Sequence, residues 1–169
     1  MTRPALPSYA EVLDLPTLLE GEVTPDFIDA NGHMNIRHYL DAGAMAADVL
    51  CRRIGVDDDY RADRRLGVFT AEHHIRYFSE MHLGGKFSTH TVVVDRSAST
   101  GHLLSFIVDR STERLACTVE IILVSVDMDT RRPTAFPADV AAGLDLHIAE
   151  RHRLGWALPL SGAMGIRHS

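Results

Sequence analysis

The residues most able to do chemistry form one short stretch, Asp29-Ala30-Asn31-Gly32-His33-Met34-Asn35. This motif places a carboxylate, two amide side chains and an imidazole at a predicted helix start, where backbone N–H groups lack intrahelical acceptors and the helix dipole favours negative charge. A carboxylate can attack a carbonyl carbon or take a proton from water. The free N–H groups can stabilise the oxyanion that results. The motif therefore predicts a site where an oxyanion forms.

The motif must be positioned by the elements on either side of it. Apolar and polar residues alternate from Gly21 to Asp29, which predicts a first strand that leads into the motif. From Met34 to about Ile54 no proline occurs and apolar residues recur near helical spacing, which predicts a long helix. Residues 42–47 are small or apolar. They predict that the helix is buried and that a sheet approaches it closely.

The rest of the domain is predicted to be a sheet. A charged connection, residues 57–65, is predicted to be a solvated loop. Beyond it the apolar period changes to two, which predicts four extended runs within residues 66–80, 87–94, 103–108 and 115–126. Their connections are short, so consecutive strands are predicted to pair antiparallel. One long helix facing about five antiparallel strands is an α+β arrangement.

Three regions are predicted along the chain: an N-terminal arm (1–20), the main domain (21–137) and a C-terminal extension (138–169). The extension is predicted to be helical from Ala138 to His152 and to end in a tail or partner-contacting segment. An open sheet leaves edge strands, which proteins cover or pair. We therefore expect pairing of subunits, as a homodimer or as a dimer of dimers (a homotetramer).

Composition limits the partners that we expect. The chain has 169 residues and a formal net charge of −6, so no positive field draws in nucleic acid. No stretch approaches the ~18 apolar residues that span a bilayer, and the first seven residues lack the apolar run of a signal peptide. Cys51 and Cys117 are the only cysteines, which argues against a disulfide framework. We expect a cytoplasmic protein that binds neither nucleic acid nor membrane.

Three further patterns carry a resemblance to a known family: Asp29-x-Asn31-Gly32-His33-Met34-Asn35-x-x-x-Tyr39, His74-Ile75-x-Tyr77-x-x-Glu80, and Val126-Asp127 with Arg131-Arg132-Pro133. Over roughly residues 22–137 the chain resembles the hotdog-fold acyl-CoA thioesterases related to 4-hydroxybenzoyl-CoA thioesterase. It is most similar to the betainyl-CoA thioesterases, found alone or joined to carnitine dehydrogenase, which implies a place in carnitine metabolism. The resemblance implies a hotdog fold, an antiparallel sheet of about five strands wrapped around one long central helix.

The resemblance also implies roles for the motif. In this family an acidic residue that ends the loop before the central helix acts on the thioester, and the matching residue is Asp29. It would be the nucleophile or the general base, and the sequence leaves both routes open. The N–H groups of Gly32, His33 or Met34 would bind the thioester oxygen. Gly32 fits this role because it has no side chain to block close backbone approach.

Plant acyl-carrier-protein thioesterases offer a second resemblance, because their catalytic loop also runs Asp-x-Asn-x-His and is completed by a Glu on a following strand. It implies that Asn31 positions the carboxylate or the carbonyl, that His33 orients water or Asp29, and that Glu80 is a second carboxylate. Structural alternatives stay open for each residue. Asp29 could form an Asx turn or a helix cap, and Asn35 could be an N-cap. His33 could be a hydrogen-bonded loop histidine, and Glu80 a solvated acid in a turn.

The acyl group is expected to meet an aromatic wall. The candidate substrate-binding residues are Gly32, Met34, Asn35, Tyr39, Phe69 and Tyr77. Such a wall with a carboxylate suits a quaternary ammonium such as betainyl, and it would also accept a short or aromatic acyl chain. The expected reaction is hydrolysis of a small acyl-CoA to the free acid and CoA, with no cofactor beyond the CoA of the substrate.

The same sequence argues against several other sites and functions. His73 and His74 are adjacent on a predicted strand and point to opposite faces, so no metal site is expected. The two cysteines are expected to be inert packing residues. CoA would be held by scattered arginines, for which Arg52, Arg53 and Arg76 are available. A hotdog hydratase or dehydratase would place its histidine one residue later. A non-catalytic acyl-CoA-binding module would need a further domain.

Overall fold

The computed structural model describes residues 5–167. The elements in chain order are α1 (Tyr9–Leu13), β1 (Leu19–Glu22), a 3-10 helix (Pro25–Phe27), α2 (Ile36–Arg53), α3 (Asp58–Ala62), β2 (Leu66–Tyr77), β3 (Lys86–Arg96), β4 (Thr100–Asp109), β5 (Arg114–Asp127) and α4 (Ala138–Arg151). The predicted arm and tail extend into residues 1–4 and 168–169, which lie outside the described residues.

All five strands form one antiparallel sheet in the order β1-β3-β4-β5-β2. The predicted α+β hotdog arrangement is confirmed. One pairing prediction is wrong, because β2 pairs with β5, with Tyr77 opposite Cys117, and not with β3. The connection from β2 to β3, residues 78–85, can span ~26 Å when extended, more than the ~14 Å of three strand spacings. Strand β2 is left as a sheet edge, and the expected pairing of subunits stays a prediction.

Helix α2 packs closely on the sheet at Gly43. A Cβ added there would lie 2.6 Å from Val119 Cγ2, and the Gly43 carbonyl accepts a hydrogen bond from Ser105 Oγ at 3.0 Å. The predicted close approach is confirmed. The helix is buried on one face only, since Met45 on the other face is 56% exposed. The buried face consists of Tyr39, Ala42, Gly43, Ala46, Ala47, Leu50 and Cys51.

Two local predictions are wrong. Strand β1 lies earlier than predicted and ends at Glu22, because Pro25 has no N–H for a strand ladder and begins the 3-10 helix instead. The charged connection is also not a plain loop. It contains α3, whose start is capped by the Asp57 carboxylate accepting the Tyr60 N–H at 3.0 Å, and the Tyr60 side chain is buried in the core.

Both terminal regions belong to the packed domain. Val12 of α1 is fully buried on the sheet face away from α2, where the Trp156 ring meets the Phe106 ring edge-on at 5.7 Å. The described residues of the predicted arm and tail therefore pack on the same domain, and contact of the C-terminal segment with a partner stays a prediction. The predicted helix at Ala138 is present as α4. It joins the core on the α2 side, with Gly143 against Ile54.

Candidate active site

The motif folds into a tight loop between the 3-10 helix and α2. An isolated bridge joins Ile28 to Met34. Within the loop the Asp29 N–H donates to the His33 carbonyl and the Gly32 N–H donates to the Asp29 carbonyl, both at 3.0 Å. Gly32 has φ +82°, and a Cβ added there would meet nothing within 4 Å. The left-handed backbone therefore calls for glycine here, and close approach of a thioester to this backbone stays a prediction.

The Asp29 carboxylate is held by its own loop. Its Oδ1 accepts the Asn31 N–H at 2.8 Å, which is the Asx turn that the sequence allowed. Asn31 thus contributes its backbone, while its side chain is exposed. Within residues 5–167, Asp29 Oδ2 accepts no hydrogen bond. The Asx turn therefore orients the carboxylate and leaves one oxygen available for chemistry.

His33 lies between two carboxylates. Its Nδ1 is 3.9 Å from Asp29 Oδ1 and its Nε2 is 3.9 Å from Glu80 Oε1. The side chains of Asp29, His33 and Glu80 are 19%, 25% and 65% exposed. These distances are longer than direct hydrogen bonds, and a bridging water or a small side-chain movement would close them. The structure thus brings together three of the four predicted catalytic side chains, from two separate segments.

A cavity of about 270 Å³ opens beside this group. Its lining contains five of the predicted site residues and three that sequence reasoning missed. It consists of His33, Met34, Ile36, Tyr39, Tyr77, Phe78, Ser79 and Glu80.

The prediction that Phe69 lines the same pocket is wrong for this cavity. Phe69 lies about 26 Å from Tyr77 along the extended strand β2. Its ring instead lies beside the Arg131 guanidinium at 5.2 Å. The hydrophobic pattern could not separate Phe69 from Tyr77, because both are aromatic residues of one strand and only their distance along it differs.

The predicted site residues at the start of α2 are mainly structural. Asn35 caps the helix, because its Oδ1 accepts the Arg37 N–H at 3.0 Å. The buried Tyr39 hydroxyl accepts the Met81 N–H at 3.1 Å, and burial raises the pKa of Tyr39 to about 12. The phenol therefore keeps its proton near neutral pH. Its ring meets the Tyr77 ring edge-on at 5.3 Å and forms the cavity wall.

Few backbone amides remain available for an oxyanion. The Gly32 N–H is used within the loop, and the Met34 N–H donates to the Met81 carbonyl at 2.8 Å. The His33 N–H has no acceptor in the described part of the chain. Ile36, at the first helical position, has an N–H without an intrahelical acceptor and lines the cavity. Of the three predicted donors, only the His33 N–H remains available. The Ile36 N–H is a further donor that was not predicted.

Of the three residues that the sequence did not indicate, Ser79 is the one best suited to take part in the chemistry. Its Oγ is buried and has no hydrogen-bond partner among residues 5–167. It precedes Glu80 directly and lines the cavity. The signal in the sequence was its position, a polar residue where β2 gives way to the connection that carries Glu80.

The remaining candidates do not contribute a nucleophile or a metal centre. Cys51 and Cys117 are buried free thiols, and burial raises the pKa of Cys51 to about 12 and that of Cys117 further. No group of three or more His, Cys, Asp or Glu within residues 5–167 could hold a metal ion. No helix in this range is both long and apolar enough to cross a membrane.

Two of the three arginines considered for CoA are engaged within the chain. Arg52 pairs with Asp48 and Asp58, and Arg76 donates to the Pro159 carbonyl at 2.9 Å. Arg53 forms no ion pair with any described residue.

Comparison with known proteins gives consistent matches. Residues 23–144 match the family model described as the thioesterase-like superfamily. An L-carnitine dehydrogenase/betainyl-CoA thioesterase from Ruegeria pomeroyi is 33% identical over 156 residues, which are 92% of this chain and 31% of that protein. The chain thus spans about a third of that relative. A betainyl-CoA thioesterase from Pseudomonas aeruginosa is 28% identical over 149 residues, which are 88% of this chain and 91% of that protein.

Solved structures match over most of the chain. A protein from Staphylococcus aureus in complex with CoA has a TM-score of 0.75 and 25% identity, and the match covers 90% of this chain and 97% of that one. A 1,4-dihydroxy-2-naphthoyl-CoA thioesterase from Synechocystis has a TM-score of 0.68 and 14% identity, over 77% of this chain and 96% of that one. The second likeness concerns the fold alone.

Proposed function

The chain belongs to the thioesterase-like superfamily, and we propose that it is an acyl-CoA thioesterase that hydrolyses a small cationic acyl-CoA to the free acid and CoA. The observation that carries the proposal is the convergence of Asp29, His33 and Glu80: His33 lies 3.9 Å from each carboxylate, and His33 and Glu80 line one cavity. Thioester hydrolysis needs a nucleophile or a general base near the carbonyl carbon, a role that a carboxylate can fill, and N–H donors near the carbonyl oxygen. This end of α2 offers both.

Asp29 is the group that acts on the thioester. The Asn31 N–H holds Oδ1, so Oδ2 either attacks the carbonyl carbon to give an anhydride or removes a proton from an attacking water. The N–H groups of His33 and Ile36 donate to the carbonyl oxygen as it gains negative charge. The C–S bond then breaks. In the general-base route the CoA thiolate takes up the proton that Asp29 removed from the water and leaves as the thiol. In the anhydride route the thiolate leaves first, and a water then hydrolyses the anhydride, which releases the free acid, restores Asp29 and supplies the proton for the thiol. The His33 ring orients the water or the Asp29 carboxylate.

The acyl group proposed is small and cationic. The cavity has the aromatic walls Tyr39, Tyr77 and Phe78, one carboxylate from Glu80, and no lysine or arginine in its lining. Aromatic faces and a carboxylate attract a quaternary ammonium. The relatives named betainyl-CoA thioesterase support the same substrate.

A thiol-release assay with two matched substrates tests the proposal. Betainyl-CoA and 3,3-dimethylbutanoyl-CoA have acyl groups of the same shape, but only the first carries a charge. We expect kcat/KM about tenfold higher for betainyl-CoA after division by the ratio of the uncatalysed hydrolysis rates, because the ammonium also activates the carbonyl and only the excess reports cation–π and carboxylate contacts. Equal turnover of both would overturn the cationic substrate and leave the thioesterase standing. No thiol release from these or from short linear, branched and aromatic acyl-CoAs would overturn the thioesterase itself.

A further inference from the structure

A second cavity lies at the opposite end of α2. It measures about 230 Å³ and lies between the end of α1, the last turn of α2 and α4. The 18 residues of α2 rise by ~27 Å, so this cavity is well separated from the one beside Tyr39. Its apolar lining consists of Leu15, Pro16, Leu18, Leu50, Val92, Val93 and Leu154.

Two arginines on its rim lack a carboxylate partner. Arg53 of α2 and Arg151 of α4 both line the cavity, and neither forms an ion pair with any residue from 5 to 167. Arg151 Nε is buried and has no hydrogen-bond partner in that range. Its Nη1 contacts only His152 Nδ1, at 3.2 Å. Because a buried donor without an acceptor is unfavourable, an anionic ligand would supply the hydrogen-bond acceptor that Arg151 lacks.

The acidic residues of the rim limit the charge of that ligand. Asp14 and Glu150 also line the cavity, and Glu150 Oε2 lies 2.9 Å from His147 Nδ1. Two guanidinium groups facing two carboxylates leave little net positive charge for a phosphate dianion. A single carboxylate gains directional hydrogen bonds from arginine without a large charge excess.

We propose that this cavity binds a small monocarboxylate. The ligand carboxylate accepts hydrogen bonds from Arg151, with the Arg53 guanidinium on the same rim, and its apolar body packs against Leu50 and Leu154. The site is separate from the Asp29 loop and does not depend on the proposed hydrolysis. Its volume fits a short-chain or single-ring acid and excludes CoA.

Hexanoate is the probe, with hexanamide as a matched uncharged ligand. The full chain is titrated with each in the absence of acyl-CoA, and binding is followed by calorimetry and by NMR shifts of the Leu50 and Leu154 methyl groups. We expect saturable shifts of these methyl groups with hexanoate and weaker binding of hexanamide. Arg151→Gln should weaken hexanoate binding about tenfold, as is typical for loss of a hydrogen bond to a charged group. Arg153→Gln, in the adjacent turn and outside the lining, should leave it unchanged.

Three outcomes would overturn the proposal. One is equal binding of hexanoate and hexanamide. Another is hexanoate shifts confined to Met34 and other residues of the first cavity, which would mean binding of a reaction product only. The third is a hexanoate affinity that is unchanged in both Arg53→Gln and Arg151→Gln. If the Arg151 variant does not fold, unchanged affinity in Arg53→Gln is enough to overturn the proposal.

Discussion

The two ends of α2 carry cavities of similar size but different sets of charged side chains. Asp29 and Glu80 lie at the N-terminal end with no lysine or arginine in the cavity lining, whereas Arg53 and Arg151 lie at the C-terminal end beside Asp14 and Glu150. The helix dipole is positive at its N-terminus and negative at its C-terminus, so it favours Asp29 at the first end and Arg53 at the second. The dipole does not account for the mixed charges of the second cavity, nor for the chemistry.

The chemistry depends on how each end is held. At the N-terminal end the loop is closed by backbone hydrogen bonds, and the Phe27 ring stacks on the His38 ring with 3.9 Å between centroids. A carboxylate oxygen and amide N–H groups remain free in that fixed frame. At the other end Arg53 and Arg151 lie on helix surfaces beside Asp14 and Glu150. The arginines can bind an anion, and the Glu150 carboxylate lies 2.9 Å from His147 Nδ1 and is not held in a loop with free amide N–H groups.

The largest expected effect is that of Asp29→Asn, which should abolish hydrolysis at the N-terminal end of α2 and leave the cavity at the C-terminal end unchanged. The amide oxygen can still accept the Asn31 N–H, so the loop should keep its fold. Because the base or nucleophile is lost, we expect kcat to fall about 10³-fold, or ~4 kcal/mol. Steady-state thiol release measures this loss.

Asp41→Asn is the matched control for that variant. Asp41 is an exposed acid on the same helix, and its replacement should change kcat less than twofold. Full activity of Asp29→Asn would remove Asp29 from the mechanism, and hexanoate binding at the far end should be the same in both variants.

The next effect should come from Gly43→Val, which disturbs the helix between the two ends. The added side chain would clash with Val119 where a Cβ alone lies 2.6 Å from Cγ2. Overpacking of this kind costs about 2–3 kcal/mol of unfolding free energy. Urea denaturation checks it, with Gly155→Val as control because a Cβ at Gly155 meets nothing within 4 Å. Equal stability of both variants would contradict the close packing.

The smallest effect should come from Glu80→Gln, which tests whether the Glu80 charge contributes to recognition of a cationic acyl group. If Glu80 attracts a cationic acyl group, its loss should bring the kcat/KM ratio of betainyl-CoA to 3,3-dimethylbutanoyl-CoA down about threefold, or ~0.7 kcal/mol, because the aromatic walls keep the rest of the preference. Glu72→Gln, an exposed acid of the preceding strand β2, should keep the ratio. A preserved ratio in Glu80→Gln would assign cation recognition to the aromatic walls.

The fold was predictable where local pattern and packing agree. The spacing of Ala42, Gly43 and Ala46 predicted the close helix, and the period-two runs predicted the strands. The pairing of β2 with β5 was not predictable from loop length. The connection between β2 and β3, residues 78–85, is long enough either to turn back to an adjacent strand or to pass over β5 and β4. Tyr60 was missed because a single apolar residue in a charged segment gives no periodic signal.

The candidate site was predictable as a set of side chains and less so as a geometry. The motif pointed to Asp29, and the family resemblances added His33 and Glu80; the fold brings these three side chains together. Which N–H groups remain free depends on long-range partners such as Met81, and no motif within the loop shows them. Ser79 and Ile36 were missed for a related reason, since lining a cavity is a property of the assembled surface.

The contact at Gly43 has a consequence for motion. A helix whose backbone lies against Val119 and accepts a hydrogen bond from Ser105 cannot slide along the sheet without steric clash. Helix and sheet then move as one rigid body, and no shear displacement can carry a signal along α2. We expect the coupling free energy between the two cavities to be close to zero, with occupancy of either one leaving affinity at the other unchanged.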